Sequence, residues 1–156
     1  NLGVTSSFFS DHVDVRPTLV FLSGLQDDYV HDGRVILETI DHSALPKSLH
    51  AHSRTLLRLG QVYKQIEAPF GRLAHHALTV STFALESNST NDATYNRLES
   101  DIESWTNRRD SLGAQIKAML AGAEFEGKSI DEREARNLIS QAQALLADAS
   151  SVANGL

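Results

Sequence analysis

Beyond residue 46, apolar positions recur at helical spacing along most of the chain, whereas before it no spacing is sustained. From about Pro46 to Glu67, Leu49, Leu56 and Tyr63 return every seven residues, and Leu59 and Ile66 fill the alternate seam. This predicts one helix, ended by Pro69, because a proline disfavours the helical region for the residue before it. A second helix is expected over about 70–85, with Leu73, Ala77, Val80 or Ser81, and Ala84 facing inward. After a polar loop at 87–91 comes the clearest stripe. Tyr95, Leu98, Ile102, Trp105, Arg109, Leu112, Ile116, Met119 and Ala123 alternate steps of three and four, as in a coiled-coil seam. Only Arg109 interrupts it, and its guanidinium is expected to reach a carboxylate or carbonyl near the bundle edge. Asn91 or Asp92 can cap the start, and a helix over 93–122 would be about 45 Å long. Ser129 and Glu132 have capping-box spacing and predict the start of a fourth helix. Its seam is Ala135, Leu138, Ala142, Leu145, Ala149 and Val152, and Asn154-Gly155 ends it. The short connection through Gly127 makes the last two helices an antiparallel hairpin, in which the alanines leave room for Trp105, Leu112 and Ile116.

The first 41 residues are punctuated every few positions. Asp14 is placed to cap a short helix carrying Pro17 in its first turn, where the missing N–H costs little. Thr18–Leu22 continues that helix, Gly24 stops it, and Asp32-Gly33 forms a turn. Val35, Ile36 and Leu37 are a short apolar run of ambiguous type. So little apolar surface would struggle to make an independent core, so this segment needs something to pack on. The expected fold is therefore mainly α: a short irregular N-terminal segment (1–45) followed by a four-helix bundle or paired αα-hairpins (46–156), with the boundary near Ser43–Pro46.

Composition supports helices over sheets, since aromatics are 6% and alanine and leucine dominate the second half. A net charge of -6 without a basic stripe argues against nucleic-acid binding; Arg108-Arg109 is the densest basic spot, and Asp101, Glu103 and Asp110 surround it. The absence of cysteine excludes disulfides and thiolate metal sites. The longest apolar-rich stretch, Thr18–Leu22, is far too short to span a bilayer. Asn1 rather than methionine opens the sequence, and a processed product or a piece of a longer chain is expected.

All 7 histidines lie in the first half. His50 and His52 sit two apart on the first predicted helix and point about 200° apart, so they cannot chelate one ion and a surface role is expected. His75 and His76 diverge by about 100°, and one could bond a carbonyl or carboxylate within the bundle. Asp11-His12, Asp14 and His31-Asp32 carry the donor types of a hard-metal site. Asp14 and Asp32, however, have competing tasks as cap and turn residues, and the structural reading is preferred. No serine, histidine and acid fall together, and no glycine-rich phosphate loop appears. Trp105 reads as core, and the sequon Asn88-Ser89-Thr90 as a polar loop. No catalytic, cofactor-binding or metal-ligating residue is assigned.

Two stretches carry a resemblance. Ser10-Asp11-His12-Val13-Asp14-Val15-Arg16-Pro17-Thr18-Leu19 and Gly24-Leu25-Gln26-Asp27-Asp28-Tyr29-Val30-His31-Asp32-Gly33-Arg34 resemble the closing segment of the alkaline phosphatase superfamily, which includes phosphodiesterases, nucleotide pyrophosphatases and sulfatases. The helical remainder resembles the tail of secreted bacterial members. The resemblance implies a parent α/β hydrolase with two divalent metals, usually zinc, and a threonine, serine or cysteine nucleophile, all upstream of the matched segment. Asp14, Pro17 and Thr18 would then belong to the structural helix. The implied role is a non-catalytic C-terminal portion of a phosphate- or sulfate-ester hydrolase, secreted or periplasmic, partnered by its catalytic domain or a second copy of the chain. The alternative is a free-standing helical interaction or oligomerisation module. A metal enzyme built from the histidine-rich first half ranks third.

Overall fold

Residues 7–26, 28–86 and 92–156 are described in a computed structural model of the chain. The fold is mainly α, and no β-strand occurs among the described residues. A single 3-10 turn, His12–Asp14, leads into helix α1 (Val15–Leu22). Two further 3-10 turns, Leu37–Thr39 and His42–Ala44, connect it to the short helix α2 (Lys47–His50). The long helices follow: α3 (Ser53–Glu67), α4 (Arg72–Glu86), α5 (Ala93–Phe125) and α6 (Glu132–Asn154). Each of these four packs on the other three, which makes a four-helix bundle.

The core follows the stripes. Leu49, Leu56, Leu59, Tyr63 and Ile66 are buried from one side; Leu73, Val80 and Ala84 from a second; Leu98, Trp105, Leu112, Ile116 and Ala123 from the third. Ala135, Leu138, Ala142, Leu145 and Ala149 face them from α6. Trp105 against Asp148 marks the antiparallel pairing of α5 with α6, the indole N–H donating to Asp148 Oδ2 at 3.3 Å. Val35 and Leu37 belong to the same apolar cluster as the bundle helices, so the segment before residue 46 is packed on the bundle itself.

Several local expectations are corrected. The helix read as running from Pro46 to Glu67 is broken at His52, whose backbone (φ -123, ψ 17) leaves the helical region. The interruption is held from outside the helical ladder. His50 Nε2 lies 2.9 Å from the Leu45 carbonyl. His52 Nδ1 lies 3.7 Å from Glu132 of α6. α4 starts at Arg72 rather than Phe70, since a turn closed by the Gly71 N–H on the Ala68 carbonyl at 2.8 Å precedes it, where a Cβ on Gly71 would collide with nearby carbonyls. α5 runs on to Phe125, and the reversal is made at Gly127, which has φ +65. Tyr95 is exposed, since it sits in the first turn of α5, before the packed stretch begins at Leu98. The cap of α6 is Asp131, not Ser129: its carboxylate accepts from the N–H groups of Arg133 and Glu134. The loop at 87–91, its sequon and Asn91 lie outside the described residues.

Candidate functional site

The N-terminal segment is fastened to the bundle by buried charge as well as by the apolar packing of Val35 and Leu37. Asp14 heads α1 but makes no side-chain cap there. The capping task one turn earlier falls to Asp11, whose carboxylate accepts from Val13 N–H while Asp14 accepts from Asp11 N–H. The free capacity of Asp14 is turned inward. It is fully buried, and its Oδ1 accepts from the Arg34 N–H at 2.9 Å and from Lys64 Nζ of α3 at 3.1 Å. Lys64 is itself buried and lies 3.0 Å from Asp11. Arg34 is buried too, forked onto Glu38 at 2.7 and 2.9 Å. Thr18 completes the fastening: its hydroxyl donates to the Asp14 carbonyl and accepts from the Ile36 N–H. Gly33 lies so close to the backbone of Val13 that a Cβ there would collide with it. Removing one partner from such a network leaves an uncompensated buried charge, which is strongly destabilising.

At the foot of this network, Glu124 of α5 reaches the segment. Burial pushes its carboxyl up to about 8, opposed by the nearby Arg34 guanidinium and a bond from the Val35 backbone. Glu124 Oε1 and Arg34 Nε are both buried without a hydrogen-bond partner among the described residues. Beside them, residues 28–34 and the end of α5 enclose a largely apolar cleft of about 700 Å³. Its aromatic edge is a chain of rings: Tyr29 against His31 at 5.5 Å, His31 against Phe125 at 6.0 Å, and Phe125 against Phe21 at 6.4 Å. The Gln26 amide donates to the Phe125 carbonyl across the same edge.

The outer side of α1 carries an uncovered apolar stripe. Val15, Leu19 and Leu22 follow i, i+4, i+7 spacing and are 50%, 58% and 59% exposed. Beyond the helix, Leu25 and Val30 are also exposed, at 62% and 74%. Single exposed leucines are ordinary, but three apolar residues at helical spacing on one helix face are a contiguous apolar surface.

The residues with metal-ligand chemistry are dispersed. Asp11 and Asp14 are engaged with Lys64, and the Asp32 carbonyl accepts from the Tyr63 hydroxyl at 3.1 Å. His31 faces rings. Among the described residues no group of three or more histidine or carboxylate side chains is arranged to hold a metal ion. His75 is exposed, whereas His76 Nε2 is buried without a partner among the described residues, and burial lowers its pKa. His50 and His52 are both half-buried rather than on the open surface. The break at His52 undoes their divergence, and with His42, which stacks on His50 at 4.6 Å, they line one polar cleft against α6.

Neither the cleft nor the Asp14–Lys64 pair was legible in the sequence. The one available signal, Lys64 between the apolar positions Tyr63 and Ile66, is common on half-buried helices. Among known proteins, no family model, no curated protein and no solved structure matches the chain.

Proposed function

We propose that this chain is the non-catalytic C-terminal portion of a metal-dependent phosphate- or sulfate-ester hydrolase, docked on its catalytic domain through the outer face of α1. The observation that carries the reading is the exposed stripe Val15–Leu19–Leu22, whose first two members fall within the stretch that resembles the superfamily's closing segment. A helix rigidly fastened on one side and apolar on the other is suited to joining two bodies. On this reading the parent's nucleophile and its two divalent metals belong to the catalytic domain. The bundle supports that domain or shapes access to its cleft, outside the cytoplasm in a secreted or periplasmic enzyme.

The test starts from the coding sequence upstream of Asn1. An open frame is expected to encode a nucleophile and a set of Asp and His ligands. The longer protein is expected to hydrolyse a nitrophenyl phosphate, phosphodiester or sulfate. The 156-residue chain alone is expected to turn over none of these, with or without zinc. In the longer protein Leu19→Asp with Leu22→Asp should loosen the joint and lower the thermal midpoint, with no such loss in the isolated chain. An upstream frame lacking the nucleophile and ligands, or turnover by the metal-loaded isolated chain, overturns the reading.

The second reading, a free-standing helical interaction or oligomerisation module, is favoured by a different surface. Leu78 and Leu85 stand seven residues apart on α4 and are 67% and 75% exposed. A concentration-dependent dimer abolished by Leu78→Glu would support it.

A further inference from the structure

The polar cleft between the start of α3 and α6 encloses about 780 Å³ and is lined by arginines out of proportion to the rest of the molecule. Arg54 and Arg58 stand one turn apart on α3, on the same helix face, and neither makes a hydrogen bond or ion pair among the described residues. Arg136 faces them from α6. The one acidic side chain on the lining, Glu132, is already satisfied. It accepts from Arg136 at 2.6 Å and from the Thr55 hydroxyl at 3.2 Å, with His52 alongside at 3.7 Å. These partners hold its carboxyl below the usual range, Arg136 contributing most. Three arginines against one glutamate leave the lining two charges positive, on a chain whose net charge is -6. The excess is concentrated on the two guanidiniums that have no partner.

A guanidinium presents a planar fork of donors matched to two oxygens of one oxyanion, and such bonds are among the stronger ones in water. The opposite wall supplies the neutral polar groups Ser140 and Gln143, with Ile139 as an apolar surface beside them. We propose that this cleft is a binding site for a small soluble phosphate or sulfate monoester, whose oxyanion is gripped by Arg54 and Arg58 while its organic part lies along α6. Glu132 takes up the charge of Arg136, which leaves Arg54 and Arg58 as the guanidiniums open to the ligand. The proposal is independent of the parentage proposed above, since it concerns a surface of the bundle remote in sequence from α1.

The experiment is a titration of the full chain with inorganic phosphate at low ionic strength, followed by amide NMR shifts. Saturable shifts are expected at residues 52–58 and 132–143. Arg54→Gln with Arg58→Gln should weaken the apparent affinity by about tenfold or more. Arg97→Gln on α5 should leave it unchanged. Both cleft arginines are exposed, so the double variant should keep its helical circular dichroism and thermal midpoint. Phenyl phosphate should bind more tightly than inorganic phosphate if the α6 wall takes up the organic part. A response that sodium chloride reproduces equally, or that survives in the double variant, overturns the proposal. So does binding confined to vesicles of phosphatidic acid with none to free phosphate.

Discussion

Single side chains decide how firmly this bundle is closed. Trp105 is the largest ring in the α5–α6 seam and is buried, with its N–H on Asp148, which also takes Arg108 at 2.6 Å. Trp105→Ala is expected to cost about 3–5 kcal/mol in denaturant melts, because the alanines opposite cannot move in to fill the void. Arg109, four residues on, is the contrasting case. Its stripe position is apolar by pattern, yet its guanidinium reaches the edge, bonded to Asp110 at 2.6 and 2.9 Å and lying 4.0 Å from Glu67. Arg109→Leu should therefore change stability by no more than about 1 kcal/mol, the worth of a partly exposed ion pair. A near-silent Trp105→Ala would instead move the seam and turn the stripe into a docking face. Both residues were placed correctly by spacing. The Asp14–Lys64 pair was not, because spacing says which residues share a face but not which charges will meet across fifty residues of chain.

At the scale of elements, the four long helices follow the apolar repeat, and their ends follow local chemistry less faithfully. Two capping signals compete before α6: Ser129 with Glu132 at capping-box spacing, and Asp131 directly before the helix. Asp131 prevails because its carboxylate takes two first-turn N–H groups at once, at 2.9 and 3.0 Å. Those bonds lower its pKa, so its contribution is present above the ordinary aspartate range and is lost as pH falls through the depressed value. Asp131→Ala should lower the melting temperature at pH 7, and Ser129→Ala should leave it in place; the reverse order would restore the capping box. Glu132, the residue the box would have used, is instead drawn to Thr55, Arg136 and His52. The break at His52 is likewise invisible in the pattern. A repeat of Leu49, Leu56 and Tyr63 passes through it undisturbed, so periodicity cannot reveal it.

Over the whole molecule, the pH response should reflect the joint between the N-terminal segment and α5. Glu124 has a carboxyl raised to about 8 by burial, so between the ordinary glutamate range and pH 8 the folded chain holds a proton that the unfolded chain has released. That proton favours the fold at low pH, and the advantage is lost as pH rises through 8. Glu124→Gln removes the titration. Relative to wild type it should gain about 1–3 kcal/mol between pH 5 and pH 8.5, measured by urea melts at each pH. A gap between the two proteins that does not vary with pH would mean that Glu124 is ionised and paired with Arg34 throughout.

The helical class, the four long helices, most of their inward faces and the α5–α6 hairpin were determined by the sequence alone, since a repeat of three and four residues admits one local geometry and one buried face. The need of the first forty residues for a packing surface was also legible, from their shortage of apolar side chains. Tertiary structure decided what that surface is. It put Val35 and Leu37 into the bundle core, turned Asp14 from a cap into a buried anchor for Lys64, and left the α1 stripe Val15–Leu19–Leu22 facing outward. It also brought Arg54, Arg58 and the three imidazoles of the polar cleft to one wall facing α6. The physical reason is range: helical periodicity is written in neighbours three and four residues apart, whereas buried ion pairs and clefts form between residues that only the folded chain makes adjacent.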